Sequence, residues 1–148
     1  MTNREDDTSL SSKALQRIVL PRDPPSVSML RHEIAALVDG LPVTVDRRYD
    51  VQLAASELVA NAVEHGAGDT VTIRIGVAGA RFVISVENRT SRPLPDRATW
   101  GFGDAHRPAG RGLAIVASIS DGVEVREGNG VTIVTTWFDI AGPDPGPR

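Results

Sequence analysis

Two runs in the middle of the chain limit the fold more than any other feature. Thr70–Val77 and Arg81–Asn88 each alternate polar and apolar residues, and only Ala78-Gly79-Ala80 separates them. A period of two places every second side chain on one face of a strand, and so short a connection permits only antiparallel pairing. This hairpin therefore has one apolar face that another layer must cover. Upstream the period changes. Val27, Leu30, Ile34, Leu37 and Val38 recur at steps of three and four, which predicts a helix capped by Ser26 and ended by Gly40 and Pro42. A second helix is expected over about Asp46–His65, with Gly66 as a left-handed C-cap. Gln16–Leu20, ahead of the Pro21–Pro25 breaker, reads as a short strand.

Downstream, Arg89–Arg111 loses all periodicity among prolines, glycines and polar residues. Such a stretch inside a compact domain usually carries function or is disordered. A helix is expected from about Gly112 to Ser120. Strands follow at Val123–Arg126 and Val131–Ile140, joined at Glu127-Gly128-Asn129-Gly130. Helices first, then strand pairs with one helix between them, predict an α+β two-layer sandwich: a mostly antiparallel sheet with helices on one face. The polar opening (residues 1–12) and the Pro/Gly-rich ending (141–148) read as flexible tails around one domain, residues 13–140.

Composition narrows the function classes. At 148 residues and a net charge of −3 the chain is a single mildly acidic domain, a poor electrostatic match for nucleic acid. It has no cysteine, which removes disulfides, thiol nucleophiles and thiolate metal sites. The acidic start lacks the basic and apolar segments of a secretory signal, and no apolar run is long enough to span a bilayer, so a cytoplasmic protein is expected.

Three places can carry chemistry. Glu57 and Asn61 are four apart on the second helix and share a face. A carboxylate and an amide oxygen stacked so can share a Mg²⁺ ion and a water, and the carboxylate can take a proton from an attacking hydroxyl. The plain alternative is a solvated helix stripe. Gly110-Arg111-Gly112 stands where a loop opens a helix, so unpaired N–H groups, the helix dipole and the Arg111 charge could meet a phosphate; an ordinary glycine turn is the alternative. Asn88 ends a strand backed by Val83 and Val86 and could read a nucleobase edge, or could simply end the strand. His32, His65 and His106 are too far apart in sequence to suggest a metal site, and His65 reads as a cation at a helix C-terminus.

This order of parts resembles the GHKL superfamily with its Bergerat ATP-binding fold, also known as the histidine-kinase-like ATPase fold. The run Glu57-Leu58-Val59-Ala60-Asn61-Ala62-Val63-Glu64-His65-Gly66 looks like the N box of its bacterial anti-sigma factor serine/threonine kinase branch, and Gly110–Val116 and Gly130-Val131-Thr132 fit that branch too. The resemblance implies ATP and Mg²⁺ as cofactors, with Asn61 as metal ligand and Glu57 as catalytic base. It implies Gly110, Arg111 and Gly112 at the phosphates, Asn88 and Thr132 at the adenine, and Arg89–Pro108 as a lid. It implies two protein partners, a sigma factor that is sequestered and an anti-anti-sigma factor phosphorylated on serine, and permits a homodimer. One position departs from the pattern: Asn88 stands where the family has an aspartate, and the glycines expected after it are Arg89, Thr90 and Ser91. The alternative is therefore a degenerate member that binds proteins without nucleotide, in which Asn88→Asp should raise ATP affinity.

Overall fold

A computed structural model describes residues 15–90 and 108–140 of the chain. The strands are β1 (Gln16–Pro21), β2 (Ala67–Ala78), β3 (Arg81–Arg89), β4 (Gly122–Gly128) and β5 (Val131–Asp139). The helices are α1 (Pro25–Asp39), α2 (Val45–His65) and α3 (Pro108–Ile119). The five strands form one sheet in the order β1-β2-β3-β5-β4, and every neighbouring pair is antiparallel. The two expected tails, and Ser91–Arg107 of the expected lid with His106, lie outside the described residues.

Strand parity sets the architecture. Phe82, Ile84 and Val86 of β3 and Val134 and Phe138 of β5 are buried, and the register pairs Phe82 with Phe138 and Val86 with Val134. Val71, Ile73 and Ile75 extend this face across β2. Against it pack Leu30, Ile34 and Val38 of α1, Val51, Ala54, Leu58 and Val59 of α2, and Leu113 and Val116 of α3, all in one core cluster. Helices thus cover one face, as expected. Following the same parity, Asn88 and Thr132 are the next inward residues, paired with each other at the end of β3 and β5.

Turns and caps explain the ends, and some differ from the sequence expectation. Gly79 (φ +65) opens a two-residue turn between β2 and β3, and Asn129 and Gly130 (φ 54 and 74) join β4 to β5, the backbone that a tight hairpin needs. Thr44 caps α2 by accepting from Arg47 N at 3.1 Å. Ser26 does not cap α1. The helix begins at Pro25, so Ser26 lies inside it; Asp23 Oδ1 accepts its N–H (3.2 Å) while its buried hydroxyl donates to the Pro21 carbonyl (2.6 Å). Gly66 ends α2 with φ −78 and ψ 176, extended rather than left-handed. α3 starts at Pro108, four residues early, since proline suits the first helical position, where no N–H partner is needed.

Candidate functional site

α2 supplies the first wall. Its 21 residues bury Val51, Ala55, Leu58 and Ala62 on one side, and the four-residue spacing carries Glu57 and Asn61 together on an adjoining, half-buried side. Glu57 reaches α3: a Cβ on Gly112 would lie 3.0 Å from its Oε1, so the glycine leaves room for the carboxylate. Its neighbour Ser56 is buried and accepts a hydrogen bond from Arg31 Nε of α1 at 3.0 Å, which ties the two helices beside the carboxylate. This brace is not visible in the sequence, for a serine in an apolar helix carries no signal of its partner.

One turn further on, Asn61 Oδ1 is fully buried and has no hydrogen-bond partner among the described residues. The same holds for Oγ1 of Thr132, a residue only 2% exposed. Buried polar atoms are nearly always paired, and each orphan costs about 1–3 kcal/mol. Three such atoms occur among the described residues; the third, Arg48 Nε, lies by a cleft at the opposite end of α2, while Asn61 and Thr132 lie on the helix-covered side of the sheet, where a ligand would supply their partners. No group of three or more His, Cys, Asp or Glu able to hold a metal occurs among the described residues. A cation here would take an amide oxygen from the protein and the rest from phosphates and water, all hard oxygens of the kind Mg²⁺ accepts. The donor set fits such a group.

Asn88 faces Thr132 across the strands and packs against the end of α2, where a Cβ on Gly66 would meet its Nδ2 at 2.5 Å. The structure thus joins Glu57 to Gly112, and Asn88 to Thr132 and Gly66. It does not join Arg111, which is exposed and makes no hydrogen bond or ion pair among the described residues. The early start of α3 also changes the phosphate argument. Gly110 falls in the first turn, where N–H groups are unpaired, whereas Arg111 and Gly112 fall past it. His65 pairs with Glu64 at 3.4 Å, a local contact at the exposed end of α2. The cleft at the opposite end of α2, lined by Leu41, Thr44, Arg47 and Asp139, holds none of these residues.

Residues 20–137 match the histidine kinase-like ATPase domain family. The chain belongs to that family. Two serine-protein kinases named RsbW, from Bacillus velezensis and Bacillus subtilis, are each 26% identical to it over 131 residues, covering 80% of this chain and 82% of theirs. The fold is shared with the RsbU and RsbW domains of a Mycobacterium tuberculosis protein (TM-score 0.65, 23% identity, 87% of this chain and 33% of that one). It is also shared with the SiaB–SiaC complex of Pseudomonas aeruginosa (TM-score 0.61, 14% identity, 93% and 98%). The α+β sandwich and the GHKL resemblance both hold, and the RsbW relatives support the anti-sigma factor kinase branch. No helix among the described residues is long and apolar enough to cross a membrane.

Proposed function

We propose that this chain is an ATP- and Mg²⁺-dependent protein serine kinase of the anti-sigma factor type, which sequesters a sigma factor and phosphorylates an anti-anti-sigma partner. The observation that carries the reading is the buried, unpartnered Oδ1 of Asn61, one helical turn from Glu57. The RsbW relatives, serine-protein kinases by name, support the chemistry. The SiaB–SiaC complex, in which this fold occurs together with a second protein, supports a protein partner.

Mg·ATP, when bound, supplies the transferable phosphoryl group and the metal charge that offsets its developing negative charge. The chain's own residues bind and orient. Asn61 Oδ1 offers a hard oxygen to the metal. Thr132 Oγ1 and Asn88 Oδ1, side by side on β5 and β3, offer hydrogen bonds to the base. Gly110 presents an N–H at the start of α3, and Arg111 an exposed charge, toward the phosphates. Glu57, held against Gly112 and half shielded from water, takes the proton from the partner's serine hydroxyl.

Calorimetric titration of Mg·ATP into the wild type and Asn61→Ala tests this reading. Binding by the wild type and at least about tenfold weaker binding by the variant are expected, the loss of one charge-assisted contact. No heat with the wild type would remove the kinase assignment. The second reading, a nucleotide-independent protein-binding module, draws on the loss of the family carboxylate at Asn88. It requires that Glu57→Ala leave both partner binding and partner phosphorylation unchanged.

A further inference from the structure

Asn88 holds its amide in a particular way. Nδ2 donates to the carbonyl of Arg89 at 2.8 Å. A carbonyl oxygen can be bonded only by the NH₂ end of an amide, so this contact fixes which end is nitrogen and which is oxygen. The same nitrogen lies over Gly66, where a Cβ would come within 2.5 Å of Nδ2 and 3.3 Å of Cγ. The backbone at Gly66 is one that any residue adopts, so glycine is needed there for space alone. At the other end of the amide, Oδ1 accepts from no donor among the described residues, and across the strands stands Thr132 with its own unpartnered hydroxyl.

We propose that Gly66 and the Arg89 carbonyl lock the Asn88 amide in one orientation, its NH₂ held on the backbone and its oxygen left for a ligand, so that at this position an amide serves better than a carboxylate. A carboxylate in the same rotamer has no hydrogen to give. It would set a negatively charged oxygen against the Arg89 carbonyl, where two acceptors repel, and to escape it would have to leave the space over Gly66. Aspartate at this position therefore does not restore anything in this chain. The lock itself is a property of the protein alone. Its consequence for the ligand rests on the nucleotide reading above: a free acceptor favours a purine carrying a 6-amino group over one carrying a 6-oxo group.

The lock is tested first without nucleotide, by thermal unfolding of the full chain as wild type, Asn88→Ala and Asn88→Asp. Asn88 is only half-buried, so the effect is modest. Tm is expected to fall by about 2–4 °C in Asn88→Asp, with Asn88→Ala between it and the wild type. Gly66→Ala should lower Tm in either background, because the Ala62 carbonyl also blocks a Cβ (2.4 Å), but by less where Asn88 is already alanine and nothing is displaced. Asn88→Asp matching or exceeding the wild type would overturn the lock. In a second arm, fluorescence-detected binding compares adenosine and inosine triphosphates with Mg²⁺. The wild type should prefer the adenine nucleotide by about tenfold, and Asn88→Asp should bind it more weakly than the wild type. Tighter binding by Asn88→Asp would overturn the proposal. If neither protein binds either nucleotide, the kinase reading fails, and the unfolding data alone decide the lock.

Discussion

Two threonines on β5 offer a matched experiment on whether the inward face of the sheet is built to receive a ligand. Thr132 and Thr136 both face the helices and are 2% and 0% exposed, yet their hydroxyls differ. Thr136 Oγ1 donates to the Gly122 carbonyl at 2.8 Å, whereas Thr132 Oγ1 has no partner. Valine is nearly the same shape as threonine and slightly favours a strand, so each Thr→Val exchange isolates one hydroxyl. At Thr136 the exchange removes a satisfied bond. The Gly122 carbonyl keeps a second donor, Ser120 Oγ at 3.1 Å, so the expected loss is about 1 kcal/mol. At Thr132 it removes an oxygen that is desolvated without return, so the nucleotide-free chain should gain about 1 kcal/mol. Urea unfolding without nucleotide reads both changes as shifts of the midpoint at constant slope. A ligand should reverse the order: Thr132→Val ought to weaken Mg·ATP binding roughly fivefold to tenfold, while Thr136→Val leaves it within about twofold. If Thr132→Val destabilises the free chain as much as Thr136→Val, its hydroxyl has a partner within the protein, and the case for a ligand contact at β5 fails.

Three further substitutions probe other joints of the fold. A Cβ on Gly122 would overlap the Trp137 ring at 2.0 Å, so Gly122→Ala should cost about 1–3 kcal/mol by forcing the indole off β4, measurable as a loss of thermal stability with a change in tryptophan fluorescence. Asp23→Ala removes the carboxylate that accepts from Ser26 Oγ (2.9 Å) and shares the Ser26 N–H (3.2 Å) with the Asp23 carbonyl, and should cost about 1 kcal/mol in urea unfolding, whereas Ser28→Ala further along the helix should cost much less. Glu57→Gln keeps the shape of the side chain but not its basicity. It should slow partner phosphorylation by about 10²–10⁴ while Mg·ATP binding, followed by calorimetry, changes little.

How much of the molecule is legible in its sequence depends on whether a feature is local or tertiary. The alternation in 70–77 is unbroken and marks a strand with one apolar face, whereas in 81–88 Phe82, Val83 and Ile84 are consecutive and apolar, so the covered face, which Asn88 shares with Val86 and not with Val83, is set by the packing. The Asn-Gly turn carries its geometry in its residue types. Helix starts are harder to read beside prolines. Ser26 is a capable cap, but Pro25 takes the first helical position, which leaves Pro24 as the N-cap with no side-chain bond. Pro108 does the same for α3, and moves Arg111 and Gly112 beyond the unpaired N–H groups. The glycines are least legible. Gly66 suggests a left-handed turn, but its Cα faces the Ala62 carbonyl and the Asn88 amide, and Gly112 similarly faces Glu57. A sequence cannot tell a glycine that is there for φ from one that is there for room, since only packing defines the room. That distinction changes what the surroundings of α2 can tolerate. A residue chosen for φ can be replaced by asparagine at modest cost, but one chosen for room is limited by what stands opposite it. At Gly66 that is the Ala62 carbonyl, a backbone atom 2.4 Å from a Cβ that cannot give way, together with the Asn88 amide; at Gly112 it is the tip of Glu57 at 3.0 Å, which a shift of a few tenths of an ångström relieves, so Gly66 is the stricter of the two.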